Sequence, residues 1–534
     1  MSSEAKKIPA NTVAAVNAQE WQPSFNPWLI AISVMLATFM EVLDTSVANV
    51  ALPHIAGNLS ASTDQATWVL TSYLVSNAIV LPATGWLSSM FGRKRLLIFC
   101  IIVFTLSSLL CGAATSLSML IIARVIQGAG GGALQPIAQA TMLESFPPQK
   151  RGMAMAIYGM GVVVAPIIGP TLGGWITDNY SWRWVFYINI PVGIIAILMS
   201  QAFIEDPPYI KNSARRSIDY VGFGIMALWL ASLQIMLDKG QDEDWFSSSW
   251  ITSLAVISVL SLAAFVVWEL KSKDPIVNLR VLKNRNFAVG TFLIMIVGIV
   301  LYGTTALLPL FLQNLMGYPA LQSGIAVSPR GLGSLVAMIV VARLIGLIDN
   351  RWLIILGFAM LGISVFVLGG INLNIAPSNI LWPIIISGAA MGFIFVPLST
   401  MAVGTLRQEE MGNATGLYNL MRNIGGGIGI SAVTTMLARG AQAHQALMIG
   451  HATPYDAAYQ QQLHVLTDKL TPQFGAVAAA EKAAGIIYGI IVKQATLAAF
   501  IDNFRLLGIM CLLCIAVVFL LKKVKARGGP AMAH

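Results

Sequence analysis

WLIAISVMLATFMEVLDTSVANV, residues 28–50, is the stretch on which the reading of this chain turns. As a helix, its 23 residues would run about 35 Å at ~1.5 Å per residue, enough to cross a hydrocarbon core of ~30 Å. Two carboxylates stand inside this apolar run. Glu41 and Asp44 are three residues apart and therefore share a helix face. Asn49 follows on the same run. An ionisable side chain near the centre of a span costs on the order of 2.5–3.5 kcal/mol by insertion scales, so each one is a candidate for function.

Runs of the same kind recur along all 534 residues, of which 57% are hydrophobic and 10% charged. Soluble proteins carry about 25% charged residues, so this chain lacks the polar surface to meet water on every side. After the first run, apolar segments fall near 66–88, 96–114, 117–141, 152–175, 184–204, 219–238, 250–268, 287–312, 322–348, 352–371, 379–402, 412–438 and 500–521. The expectation is an all-α polytopic membrane protein with fourteen spans. Residues 1–26 are polar, hold Lys6 and Lys7, and lead into no short apolar core with a cleavage site. The first span should act as its own insertion signal.

Charge placement orients the spans. Arg93, Lys94 and Arg95 follow span 2; Lys150 and Arg151 follow span 4; Lys211, Arg215 and Arg216 follow span 6. Lys271, Lys273, Arg280, Lys283 and Arg285 follow span 8, and Lys522, Lys523, Lys525 and Arg527 follow the last. Arg343, Arg351 and Arg407 occupy the two connections between. The alternate connections carry few basic residues, and the one at 239–250 holds Asp242, Glu243 and Asp244. The positive-inside rule then places both termini in the cytoplasm. One outer segment, 439–499, is too long for a simple connector. Its second half has the composition of a helix lying on the membrane face or docking a partner; a solvated loop is the alternative.

The net charge of +9 does not point to nucleic acid, because the basic residues sit in short clusters between spans. Cys100, Cys111, Cys511 and Cys514 all lie in apolar runs as expected free thiols, and the five histidines have no metal-ligand spacing. No HExxH, GxSxG or paired His/Asp cluster marks an enzyme. Neither metal nor cofactor is expected.

Further candidates lie in later spans. Span 4 holds Arg124 with Gly128, Gln135 and Gln139 along a small or polar face. Span 13 holds Arg422 between Asn419 and Asn423, ahead of three glycines. From residue type alone, these groups either carry a transport function or form buried pairs that hold helices together. Span 5 carries PIIGPTLGG (166–174): Gly169, Gly173 and Gly174 permit close helix approach, and Pro166 and Pro170 remove backbone donors. GWLSSMFGRKRLL (85–97) and ARLIGLIDNRWLI (342–354) occupy matching places after the second span of two six-span blocks. Internal repeats of this kind are how many secondary transporters are built around a central site. The domain layout expected is a tail (1–27), a six-helix bundle (28–204), a linker with two inserted helices (205–286), a second six-helix bundle (287–521, including 439–499) and a tail (522–534).

FMEVLDTSVANVALPHIAGNL (39–59) resembles the first-span motif of the fourteen-span drug:proton antiporters of the major facilitator superfamily. RVIQGAGGGAL (124–134) resembles the fourth-span motif, GPTLGG (169–174) the antiporter motif of the fifth, and SWRWVFYINIPVG (181–193) the signature opening the sixth. The resemblance runs from about residue 28 to 521. It implies the major facilitator fold, two six-helix bundles plus two inserted helices around a central cavity. It implies proton-driven export of amphipathic toxic compounds across the bacterial inner membrane, with no cofactor beyond the proton gradient. On this reading Asp44 carries the proton, Glu41 assists and Arg124 tunes it. Gln135, Gln139, Asn49, Arg422 and Asn419 would line the cavity. Gly85, Gly92, Arg93, Gly128 and the span 5 glycines and prolines would serve conformational change. The implied partners are a periplasmic adaptor resembling EmrA and an outer-membrane channel of the TolC kind. The alternatives are an exporter of one metabolite, siderophore or fatty acid, and a non-transporting receptor or scaffold.

Two departures from the family pattern stand out. Ser89 replaces the aspartate of the inner-loop motif, which weakens the expected charge latch although Arg93 and Lys94 remain; the repeat loop has Gly346 at the corresponding place. Ala156 and Ala165 replace the earlier glycines of the antiporter motif.

Overall fold

A computed structural model describes residues 23–207, 210, 219–345, 347–450 and 452–523. Lys6, Lys7, Lys211, Arg215, Arg216, Gly346, Lys525, Arg527 and most of both tails lie outside the described residues. The first helix, α1 (Pro27–Asn58), starts where Asn26 accepts a hydrogen bond from the Trp28 backbone, with proline in the first turn. Next come α2 (Thr63–Phe91), entered through a Ser62/Gln65 capping box, and α3 (Arg93–Gly112). The fourth span is broken into α4 (Leu117–Gly131) and α5 (Leu134–Ser145), and α6 (Arg151–Asn179) runs unbroken through Pro166 and Pro170. A single turn, Trp184–Tyr187, precedes α7 (Asn189–Phe203).

The inserted pair is α8 (Tyr220–Lys239) and α9 (Ser249–Lys271). The second block comprises α10 (Arg285–Leu310), α11 (Ala320–Val327), α12 (Pro329–Leu344), α13 (Asn350–Leu368) and α14 (Pro377–Val403). It closes with α15 (Gln408–Ile449), α16 (Ala457–Phe474) and α17 (Ala476–Val518). The expected single run 322–348 is two helices, because Pro329 cannot supply the donor that would continue α11.

Thirteen helical segments among the described residues are long and apolar enough to cross a membrane. The span expected at 412–438 lies in α15, whose glycines and polar residues dilute its hydropathy; its stretch from Met411 to Val433 is nevertheless packed into the bundle. Polarity is inverted relative to a soluble protein. Phe99, Leu106, Leu198 and Val259 are more than half exposed, while Glu41, Asp44, Arg124 and Arg422 are buried. Apolar side chains outside meet lipid at no cost, and polar ones inside find each other.

The two six-helix blocks repeat one packing scheme. In the first, α1 packs on α6, α2 on the fourth span, α3 on the fourth span and α3 on α7. In the second, α10 packs on α15, α12 on α14, α13 on α14 and α13 on α17. The halves meet through the second span of each against the fifth of the other: α2 on α15, and α12 on α6. The inserted α8 covers one side of this seam, touching both α2 and α15.

The second half of the segment 439–499 is helical, in keeping with its composition. Among the described residues the two long helices reach into the segment from either side, α15 as far as Ile449 and α17 from Ala476, with α16 between them. At about 1.5 Å per residue, α17 with its 43 residues is about 64 Å long, roughly twice a hydrocarbon core. Ala479, Ala483 and Ile487 form its buried face in the extension, where α16 packs on α17. Gln445 of α15 donates to Tyr488 at 2.9 Å, and His444 stands 2.7 Å from Asp502. The extension is a three-helix projection in line with the spans.

Candidate functional site

One side of α1 organises the centre of the first half. Asp44 and Arg124 both expose 0% of their side chains, and Arg124 Nη1 donates to Asp44 Oδ2 at 2.5 Å. Gln127 and Asn189 donate to Asp44 Oδ1 at 3.0 and 2.7 Å, so the carboxylate accepts from three donors. Arg124 also donates to the Val69 carbonyl at 3.1 Å and to Gln127 Oε1 at 2.8 Å. Its guanidinium lies 4.2 Å from the Tyr73 ring centroid. An ion pair taken out of water needs such additional hydrogen bonds to offset desolvation. Asn189 in turn donates to Ser108 at 2.9 Å, which ties α1, α3, α4 and α7 together around the pair.

Glu41, one turn away, sits among neutral donors. Tyr73 and Asn77 donate to its Oε1, each at 3.2 Å, and Gln135 Nε2 donates to its Oε2 at 2.6 Å. No basic side chain pairs with it among the described residues. Tyr73 therefore touches both carboxylate sites, with its hydroxyl on Glu41 and its ring beside Arg124. Gln135 links the halves, since its Oε1 accepts a hydrogen bond from Arg422 of α15. A second link is parallel: Asn419 Nδ2 donates to Gln139 Oε1 at 2.6 Å. Tyr158 and Tyr418 are fully buried beside these links. The expected cavity residues Gln135, Gln139, Asn419 and Arg422 thus close on one another here. Asn49 is exposed and takes no part in either network.

Of the residues expected to serve conformational change, Gly85 falls on the seam between the halves, while Gly128 and the span 5 glycines fall on helix contacts within the first half. A Cβ added at Gly85 would meet the Asn413 backbone of α15 at 2.6 Å, so glycine is what lets α2 and α15 touch at the basic face. Gly169 and Gly173 play the same part between α6 and α1, against Ser46 and Val47, with Gly174 looser at 4.0 Å from Val50. Gly128 lies against the Tyr73 carbonyl. Ala156 and Ala165 are buried in the same packing. Gly92 has φ +85°, a left-handed backbone that a side chain rarely adopts.

The charge latch that Ser89 cannot supply comes from elsewhere. Arg93 forms a two-pronged pair with Glu144 of α5, at 2.6 and 3.1 Å, and both side chains are buried. Asp206 accepts from the Lys94 backbone at 2.8 Å. Sequence reading missed Glu144 because it falls just past the apolar run 117–141. It also missed Arg330 of α12, buried in the second half, although an arginine inside the run 322–348 was a visible signal. Tyr73, Asn77, Gln127 and Asn189 carried no signal beyond polarity within a run.

The sequence profile of the Major Facilitator Superfamily matches residues 34–430. "Multidrug export protein EmrB" of Haemophilus influenzae is 39% identical over 451 residues, covering 84% of this chain and 86% of that one. "Fatty acid resistance protein FarB" of Neisseria gonorrhoeae is 36% identical over 500 residues, covering 94% and 97%. Among solved structures, the human organic anion transporter MFSD10 (TETRAN) superposes with a TM-score of 0.58 at 13% identity, over 91% of this chain and 100% of that one. A double-tryptophan mutant of XylE gives 0.57, also at 13%, over 95% and 98%. With the repeated six-helix packing and the buried acid–arginine centre of its first half, the chain belongs to the major facilitator superfamily and, within it, to the EmrB family of export proteins.

Proposed function

We propose that this protein exports amphipathic toxic compounds across the bacterial inner membrane in exchange for protons, with both termini cytoplasmic. The observation that carries the proposal is the position of the sealed Asp44–Arg124 pair. It lies one helical turn from Glu41, whose carboxylate reaches Arg422 of the other half through Gln135. Asp44 is the proton carrier on this reading. Protonation makes Asp44 neutral, so it no longer holds Arg124, and α1 is released from α4. Glu41 lies on the same helix and feels that movement, and its bond to Gln135 passes it to the seam between the halves. A carboxyl suits this role because it takes up and gives back a proton, changing its charge without any other chemistry.

The test separates transport from mere helix pairing. Asp44→Asn keeps shape and resembles the protonated acid, so drug binding by the folded protein should survive while drug-induced proton release stops, even though leaving Arg124 without its counter-charge should lower Tm. Binding and release are both measured on purified protein between about pH 6 and 8. Proton exchange at the wild-type rate in Asp44→Asn would remove Asp44 from the role and leave Glu41 as the next candidate.

We further propose that the helical projection docks a periplasmic adaptor resembling EmrA, leading to an outer-membrane channel of the TolC kind. A projection is unnecessary for crossing one membrane, and Tyr455 at its tip is 97% exposed. Crosslinkers at Tyr455 or Gln473 should trap the adaptor. Unchanged adaptor binding after deletion of 450–480 would assign the projection to another purpose.

A further inference from the structure

The inserted helix α8 stands where the two halves would otherwise meet. Along one face of α15 the neighbour changes with depth. At the basic face Asn413 lies against Gly85 of α2, and a Cβ added at Gly416 would meet the Leu81 and Pro82 carbonyls at 3.1 and 3.3 Å. Gly427 follows Gly416 by 11 residues (427 − 416), about three helical turns, so it shares that face roughly 16 Å further along. A Cβ there would meet Leu237 and Gln234 of α8 at 3.4 and 3.5 Å, and no part of α2. Toward the face opposite the basic connections, α8 therefore lies between α2 and α15.

The far end of α8 and the turn after it are attached to both. On the α2 side, Lys239 is 7% exposed and its Nζ donates to Thr67 Oγ1 at 2.6 Å, while Thr71 Oγ1 donates to Asp238 Oδ2. On the α15 side, Trp245 Nε1 donates to Thr435 Oγ1 at 2.9 Å, and Asp244 stands 3.7 Å from Arg439. The turn is shaped for this reach. Asp244 and Trp245 have φ of 52° and 51°, two consecutive left-handed residues of which neither is glycine. Such backbone persists only where its surroundings hold it. Gly240 leaves room for the indole, since a Cβ on it would meet the Trp245 ring at 2.8 Å.

The two attachments are unequal. On the α2 side the donor is a buried ammonium, and breaking its charge-assisted bond to Thr67 would leave a buried charge short of a partner. On the α15 side the ion pair exposes 60% of the Arg439 side chain and 80% of that of Asp244, so water screens it and it holds little. The remaining bond, Trp245 to Thr435, joins two neutral groups. Gln241 Oε1 lies 3.4 Å from the same indole nitrogen and can keep the N–H satisfied when Thr435 leaves. Gly427 offers α8 no side chain to grip. The turn is thus fixed to the first half and releasable from the second.

We propose that the inserted pair is a latch across the seam at this face, and that Trp245 is the residue that closes it. While the indole holds Thr435, α15 stays against α8 and the halves stay together there. When that bond breaks, α8 remains with α2 and α15 swings away with the second half. This rests on the export reading above, in which the halves must part at this face for cargo to leave, and it assigns the inserted helices a part in that step. Trp245 is a positioning residue: it sets how often α15 leaves α8 and touches no cargo.

The experiment uses the full-length protein with spin labels at Asn58→Cys of α1 and Leu447→Cys of α15. Both positions are exposed, and the four native cysteines are buried. Trp245→Phe keeps the ring and deletes the donor; Thr435→Val deletes the acceptor. Each should raise the ratio of wide to narrow label separations about fivefold, the scale of one neutral hydrogen bond. Thr435→Ser should match the wild type, and the double variant should gain nothing over either single one. Unchanged separations in both single variants overturn the proposal, and so does full additivity in the double, because the two groups would then not act as one bond. A second arm leaves Trp245 in place and stays decisive even if Trp245→Phe does not fold. Asp244→Cys and Arg439→Cys, joined by a reducible thiol linker, should stop drug-driven proton release until the linker is reduced. Undiminished release in the linked protein overturns the latch. The label separations need neither drug nor proton gradient. No release in the unlinked protein would therefore sink the export reading and leave the separations to decide the latch.

Discussion

The two halves of this protein share a packing scheme and differ in what they bury at its centre. In the first half an aspartate and an arginine satisfy one another, with Gln127 and Asn189 completing the shell. In the second half Arg330 rests on three hydroxyls. Those hydroxyls are themselves anchored: Thr304 donates to Val300, Thr305 to Leu301 and Ser387 to Ile384 on their own helices. Removing Arg330 therefore leaves no donor stranded, whereas removing Arg124 leaves a charged acid in a sealed place. The scaffold sets where a buried charge can sit, and the partner decides whether that charge is structural or available.

Three substitutions can break or sharpen this comparison. Arg124→Met should be the most damaging, at about 3–5 kcal/mol, because it strands Asp44 without its counter-charge. A large fall in Tm is the expected readout, and pairing it with Asp44→Asn should recover part of the loss. Gly85→Val comes next, since the added atoms meet the Asn413 backbone where the halves touch. Overpacking of that order costs about 1–3 kcal/mol in the closed arrangement alone. Spin labels on α2 and α15 at the basic face should then report a wider mean separation, with each half intact. Arg330→Met should be mildest, about 1 kcal/mol, the scale of lost hydrogen bonds whose partners stay satisfied. A Tm loss as large as that of Arg124→Met would mean that the two centres are alike and that Arg330 has a hidden counter-charge.

Run length, charge bias and four motifs in order make the span layout, the repeat, Asp44, Glu41 and Arg124 legible in the chain itself. These are local properties: a bilayer needs about twenty apolar residues per helix whatever their neighbours. The projection is not legible in the same way. The composition of 439–499 offers a helix in its second half with a solvated loop as the alternative. What it does not show is that this helix is continuous with the last span and packed against α16 and α15. Ser89 shows the same limit from the other side. A missing motif acid predicts a weak latch, yet Glu144 reaches Arg93 from a different span.

The sequence by itself determined that this chain crosses a membrane many times, that its two blocks are related, and that the first span carries paired acids. Each follows from hydropathy and spacing along the chain. Only the tertiary structure decided which acid is locked and which is linked. Asp44 and Glu41 are equivalent by residue class and helix face, and they part company because Arg124 stands opposite one and Gln135 opposite the other. Arg330 differs from Arg124 for the same reason. A charge buried in low dielectric takes its character from what lies within a few ångströms, and those neighbours come from helices distant in sequence.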